Sequence, residues 1–175
     1  MAKYINDFLG TNIKVVGVQS ELADAMYRSY HAGKLLPSSR EGKTIADGIA
    51  VREASEQMLP LVMEFADDII CIEEKEIIQA IRDFYYNPKV HGKKFSTSEH
   101  FSYKYPQRTL PANKPSYSNT RPLDRIEGAA AAALAGVSHL NYGRMDIGNR
   151  EHITVLAILS GGNIADDVFQ KIITK

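Results

Sequence analysis

The stretch Ile153 to Asn163, ITVLAILSGGN, decides the fold. Seven residues from Ile153 to Leu159 are nearly all apolar and partly β-branched, the composition of a buried parallel strand. They open into Ser160-Gly161-Gly162-Asn163 and a helix expected to reach Ile173. A strand, a glycine turn and a helix make a ligand crevice in open α/β sheets, where ligands sit beyond the carboxyl ends of strands. Two glycines let a ligand approach the backbone, and a helix start beyond them favours an anion or a polar ring atom. A plain tight turn would have the same residues, with Ser160 as its cap.

The rest of the chain alternates strands and helices. Ile13 to Val18 and Asp68 to Ile72 read as two more buried strands. The spacing predicts a helix around Tyr4 to Leu9 closed by Gly10, and one from the cap Ser20 through Ala32 closed by Gly33. Others are expected over Ala54–Phe65, Glu73–Tyr85 and the alanine-rich Glu127–Gly136. Leu35–Lys43 and His139–Arg150 read as loops. The pattern gives an α/β fold, a three-layer open sheet that is mostly parallel. Three strands make a small sheet with two open edges, so its neighbours are expected on another segment or chain.

The 175 residues are expected to form a single domain over 1–175, with an irregular insert at about 88–119. That insert carries four prolines, with Lys89, Lys93, Lys94, Lys104, Arg108 and Lys114 among Phe95, Phe101, Tyr103, Tyr105 and Tyr117. Basic and aromatic residues together suit single-stranded nucleic acid, but they also make ordinary surface loops, and the loop reading is preferred. Formal net charge is zero, which gives no push toward nucleic acid or anionic membrane. A single cysteine, Cys71, excludes an intrachain disulfide and reads as a small core residue. No apolar run is long enough to span a bilayer and no signal peptide is read, so the expected location is the cytoplasm. Histidines 31, 91, 100, 139 and 152 have no metal-ligand spacing.

Two further positions could carry chemistry. Glu127, ahead of almost pure alanine, is either a charge at a helix N-terminus or a group that orients a ligand. Asp47 and Gly48 lie in Thr44-Ile45-Ala46-Asp47-Gly48, between loop and helix, where an Asp is more often a cap than an acid.

In one order, Val15-Val16-Gly17-Val18, Ala23-Asp24-Ala25-Met26, Thr44 to Val51, Asp67-Asp68-Ile69-Ile70, Glu127 to Leu134 and Leu159 to Ile164 resemble the second half of threonine dehydratases and serine racemases. These are pyridoxal-phosphate enzymes of fold type II. The resemblance implies the large, cofactor-holding domain of that fold, incomplete. It implies that Ser160 bonds the pyridine nitrogen, that Gly161, Gly162 and Asn163 line the ring, that Glu127 lies near it, and that Gly48 stands at the site's edge. A neutral hydroxyl on that nitrogen suits β-elimination of a hydroxy amino acid to a 2-oxo acid and ammonia. The family's Schiff-base lysine, its substrate loop and its phosphate-binding glycine loop have no counterpart in the 175 residues. The chain is therefore expected to be inactive alone, with its partner a missing N-terminal half or a second copy. Otherwise it is a non-catalytic interaction module using the insert. Some relatives hold a cation at the positions of Gln19, Ala23 and Ala25; both acids are replaced, so no metal is expected. Gly128 replaces a common proline, which reads as a mild change.

Overall fold

The computed structural model describes residues 2–9, 13–40, 42–86, 125–140 and 153–174. The insert at 88–119 and most of the loop at 139–150 lie outside them. Two strands, β1 (Val16–Ser20) and β2 (Asp68–Ile72), pair in parallel with Val18 opposite Ile70. Six α-helices are described: α1 (Ala2–Phe8), α2 (Ala25–Ala32), α3 (Met58–Phe65), α4 (Glu74–Tyr86), α5 (Gly128–Gly136) and α6 (Asp166–Ile173).

Asp67 sets the register of the pair. Its carboxylate accepts from Val15 N at 2.8 Å and from Lys14 Nζ at 2.9 Å, while its own N–H donates to Val15 O at 2.8 Å. β1 starts three residues later and ends two residues later than the apolar pattern suggested. Gln19 and Ser20 belong to the strand because they pair with Cys71 and Ile72, and their polar side chains are used locally. Gln19 Oε1 accepts from Tyr27 N at 2.7 Å, and Ser20 Oγ accepts from Leu22 N at 3.1 Å. Ser20 thus caps a short 3-10 turn, Glu21–Ala23, and α2 starts only at Ala25. Gly33 closes α2 at φ 64°, in the left-handed region glycine enters without steric cost. α3 begins at Met58, four residues later than the pattern, because Pro60 then falls in the first turn, where its missing N–H costs no helical bond.

α5 packs on both strands. A Cβ at Gly136 would stand 2.8 Å from Val18 Cγ2 and 3.5 Å from Ile70 Cδ1, so the glycine lets the helix lie close on the sheet. Side chains alternate along a strand, so Ile69 faces the opposite side, where it is also buried. The core continues through Ile77, Ile81 and Phe84 of α4, Ala130–Ala132 of α5, and Ile164, Phe169 and Ile172.

Asp24 ties the loop after α2 to this layer. Burial alone would raise its carboxyl pKa, but hydrogen bonds from Ser39 Oγ, Ser39 N and Ser38 Oγ outweigh that and hold it below the ordinary value. Cys71 shows the opposite balance. Burial first, then the negative charges of Asp24 and Glu21, push its thiol up to about 12. The thiolate is the reactive form, so the native chain should resist iodoacetamide at pH 8 and label only as fast as it unfolds. Alkylation of the folded protein at the rate of a free thiol would contradict this.

The deciding stretch of sequence departs from expectation. Ile153–Leu159 pairs with no strand among the described residues. Its burial alternates, with Ile153, Val155, Ala157 and Leu159 half-buried while Leu156 is 80% and Ile158 44% exposed. Continuous apolar composition predicts two covered faces; among the described residues one face lacks cover.

Candidate functional site

Three separate segments meet at the N-terminal end of α5. The first is Thr44–Gly48. Ala46 is fully buried, and a 3-10 turn, Asp47–Ile49, follows, with Ile49 N donating to Ala46 O at 3.0 Å. Asp47 Oδ1 accepts from Gly48 N at 2.8 Å, but Asp47 is the first residue of the turn and Ala46 its cap position, so the aspartate is not the cap its sequence context suggested. The second segment is Arg125–Gly128, entering α5. The third is the Ser160–Asn163 turn.

The contacts among them are close. Glu127 N donates to Gly161 O at 3.1 Å. A Cβ at Gly161 would overlap the Glu127 carboxylate, with Oε2 at 2.6 Å. A Cβ at Gly162 would stand 2.9 Å from Arg125 O. One at Gly48 would lie 3.4 Å from Ala129 Cβ and 3.8 Å from Glu127 Oε1. So Gly48, Glu127, Gly161 and Gly162, from distant parts of the chain, form one cluster. Ser160 and Asn163 flank it at exposed positions. The Glu127 carboxylate is half-buried, and among the described residues no side chain donates to it. It does not cap α5 through its side chain either.

Two residues that sequence reasoning missed hold the cluster in place. Glu74, in the first turn of α4, accepts from Thr44 Oγ1 at 2.8 Å, from Ser20 Oγ at 3.2 Å and from Ile45 N. Arg125 pairs with Asp166 at the start of α6, and its guanidinium lies 4.5 Å from the Phe169 ring centroid. An acidic first turn on α4 was legible; that one of its carboxylates reaches back to β1 and the 44–46 backbone was not. Gly128 is also more constrained than its resemblance suggested. A Cβ there would strike the Ile45 carbonyl group and stand 2.7 Å from Ala46 Cα.

A parallel α/β layer with a glycine turn beside a half-buried carboxylate defines the class, an α/β domain of the ligand-binding kind. The family model described as pyridoxal-phosphate dependent enzyme matches residues 1–92, just over half the chain, and the chain belongs to that family. The L-threonine ammonia-lyase of Thermotoga maritima is 28% identical over 168 residues, which is 95% of this chain and 31% of that protein. The biosynthetic L-threonine dehydratase of Pasteurella multocida is 33% identical over 75 residues, 43% of this chain and 14% of the relative. The processed form of threonine deaminase isoform 2 from Solanum lycopersicum superposes with a TM-score of 0.63 at 22% identity, covering 98% of this chain and 36% of that one. The fold is therefore shared along almost the whole chain, and the chain spans less than a third of the length of these curated relatives.

The cluster suits the family's cofactor on one side. The edges at 48, 161 and 162 carry no Cβ, a hydroxyl stands exposed at 160, and the Glu127 carboxylate lies beside them. These are the elements of a wall against which a flat, polar ring can lie.

Proposed function

We propose that this chain supplies the ring-side half of a threonine/serine dehydratase-type active site and is not a catalyst by itself. The observation that carries this is the meeting of Gly48, Glu127 and Gly161 around a carboxylate to which no side chain among the described residues donates. The family membership gives the ligand class.

When bound, pyridoxal phosphate supplies an electron sink for removing an α-proton and expelling a β-hydroxyl. In this reading Ser160 holds the ring nitrogen through a neutral hydroxyl and Gly161, Gly162 and Asn163 let the ring lie against the backbone. Glu127 takes a hydrogen bond from the ligand's polar edge, and Gly48 keeps that edge open. An amine to anchor the cofactor, a cradle for its phosphate and a pocket for a hydroxy amino acid come from elsewhere. A completing segment, on the same or another chain, or a second copy would bring them. The uncovered face of Ile153–Leu159, with Leu156 most exposed, supports such a completing chain. Location in the cytoplasm belongs to the same proposal. Among the described residues no helix is long and apolar enough to cross a membrane.

The test is intact mass after incubation with pyridoxal phosphate and borohydride reduction. No adduct, or slow labelling scattered over many lysines, is expected. A single stoichiometric adduct on one lysine, or 2-oxobutyrate made from threonine by the pure chain, would sink the half-site reading. Co-purification of a chain that restores one reducible lysine would support it.

A further inference from the structure

Glu74 is not itself part of the ring wall, yet its carboxylate joins the parts that build it. It begins α4, where the helix dipole favours a negative charge. Ser20 Oγ, at the last residue of β1, donates to Glu74 Oε2 at 3.2 Å, and Thr44 Oγ1 donates to the same oxygen at 2.8 Å. Both hydroxyls are already acceptors: Leu22 N donates to Ser20 Oγ at 3.1 Å and Ala46 N to Thr44 Oγ1 at 3.0 Å. Each hydroxyl therefore has one proton to give and gives it to Glu74. The other oxygen, Oε1, accepts from Ile45 N. Ser20 is fully buried and Thr44 nearly so, so water does not replace these bonds at no cost.

The consequence reaches the cluster by two steps of direct contact. The Ile45 carbonyl and Ala46 Cα are the atoms that a Cβ at Gly128 would strike, so they fix how α5 begins. Ala46 O accepts from Ile49 N at 3.0 Å, which sets the turn carrying Gly48. Gly48 and the start of α5 are what face Glu127.

We propose that Glu74 is a positioning residue for this site. An acceptor-only carboxylate, held at the start of α4, locks the Thr44–Ala46 backbone to the end of β1 and so sets the spacing between Gly48 and Glu127. The role in cofactor binding rests on the half-site reading; the locking of the backbone does not.

Two variants of the full chain test it, Glu74→Gln and Thr44→Val. Glutamine turns one acceptor into a donor facing two hydroxyls that already accept. Valine removes one donor to Glu74 together with the acceptor of Ala46 N, keeps the shape and leaves Glu74 bonded to Ser20 and Ile45, so it carries the test if the first variant does not fold. Amide exchange in the free chain should rise at least tenfold at Ile45 and Ile49 in both variants, while Ile69 in β2 keeps its protection. Pyridoxal phosphate, titrated while the Gly48 and Gly161 amide resonances are followed, should need about tenfold more cofactor in the variants. Unchanged exchange at Ile45 and Ile49 overturns the proposal. So does exchange raised equally in β2, which marks a general loss of stability rather than positioning. If pyridoxal phosphate moves neither resonance in the unaltered chain, the half-site reading fails while the exchange result still decides the role of Glu74.

Discussion

Gly128→Ala should lower the free energy of unfolding by about 3 kcal/mol, the upper end of what overpacking costs. The added Cβ would meet backbone, with Ile45 C at 2.5 Å and Ala46 Cα at 2.7 Å. A flexible side chain can swing aside, but this backbone is pinned by Glu74 and by the 3-10 turn after it. Relief must come from moving the start of α5, whose residues Ala129 to Ala132 are buried throughout. Urea unfolding checks this: the midpoint falls and the slope stays the same. Gly48→Ala is the control. Its Cβ would meet Ala129 Cβ at 3.4 Å, an ordinary contact, and its φ is not positive, so a change within about 0.5 kcal/mol is expected. Equal effects at the two positions would show that the approach of 44–46 to α5 is not as tight as described.

The same glycine shows what sequence alone can and cannot carry. The order of elements was legible, because β1, β2 and α4 have apolar patterns set by local geometry. The alanine run of α5 was legible too, and Gly33 stopped α2 where a left-handed cap was expected. Contacts between segments far apart in the chain were not. A proline-to-glycine exchange at 128 reads as mild until Ile45, 83 positions earlier, is found against it. Glu74 likewise reads as a helix-start charge, since nothing local shows that Ser20 and Thr44 both donate to it.

The largest miss has a related cause. Ile153–Leu159 has the composition of a strand covered on both faces, but composition says only that cover is required, not which residues provide it. The sheet described here has two strands, and the exposure of Leu156 and Ile158 is where cover is lacking. Gly161 and Glu127, in contrast, meet because the glycine turn and the start of α5 are joined by a backbone bond, Glu127 N to Gly161 O at 3.1 Å. The resemblance put both residues near one ring; the contact between them is a property of this chain's own packing.

The second large effect is expected at Phe169→Ala, about 4 kcal/mol, as for other fully buried aromatic side chains cut to Ala. Phe169 is 1% exposed. Tyr85 of α4 meets its ring edge-on at 5.3 Å between centroids, and the Arg125 guanidinium covers it at 4.5 Å. α6 has other ties to α4: Arg82 Nε donates to Ile172 O at 2.7 Å, and Tyr86 Oη donates to Ile173 O at 2.6 Å. Those bonds hold only the far end of the helix. Nearer its start, Phe169 is the anchor, and Arg125 links that anchor to the segment entering α5. The truncation therefore leaves a cavity and also strips the aromatic platform from a guanidinium whose buried Nε has no hydrogen-bond partner among the described residues. Phe169→Leu keeps most of the volume and should cost less, about 1.5 kcal/mol. Exchange should separate the two variants. In Phe169→Ala the amide of Glu127, which bonds Gly161, should lose protection along with α6, whereas in Phe169→Leu it should keep it. If Glu127 stays protected in the alanine variant, α6 can loosen without disturbing the ring wall, and Arg125 does not couple the two.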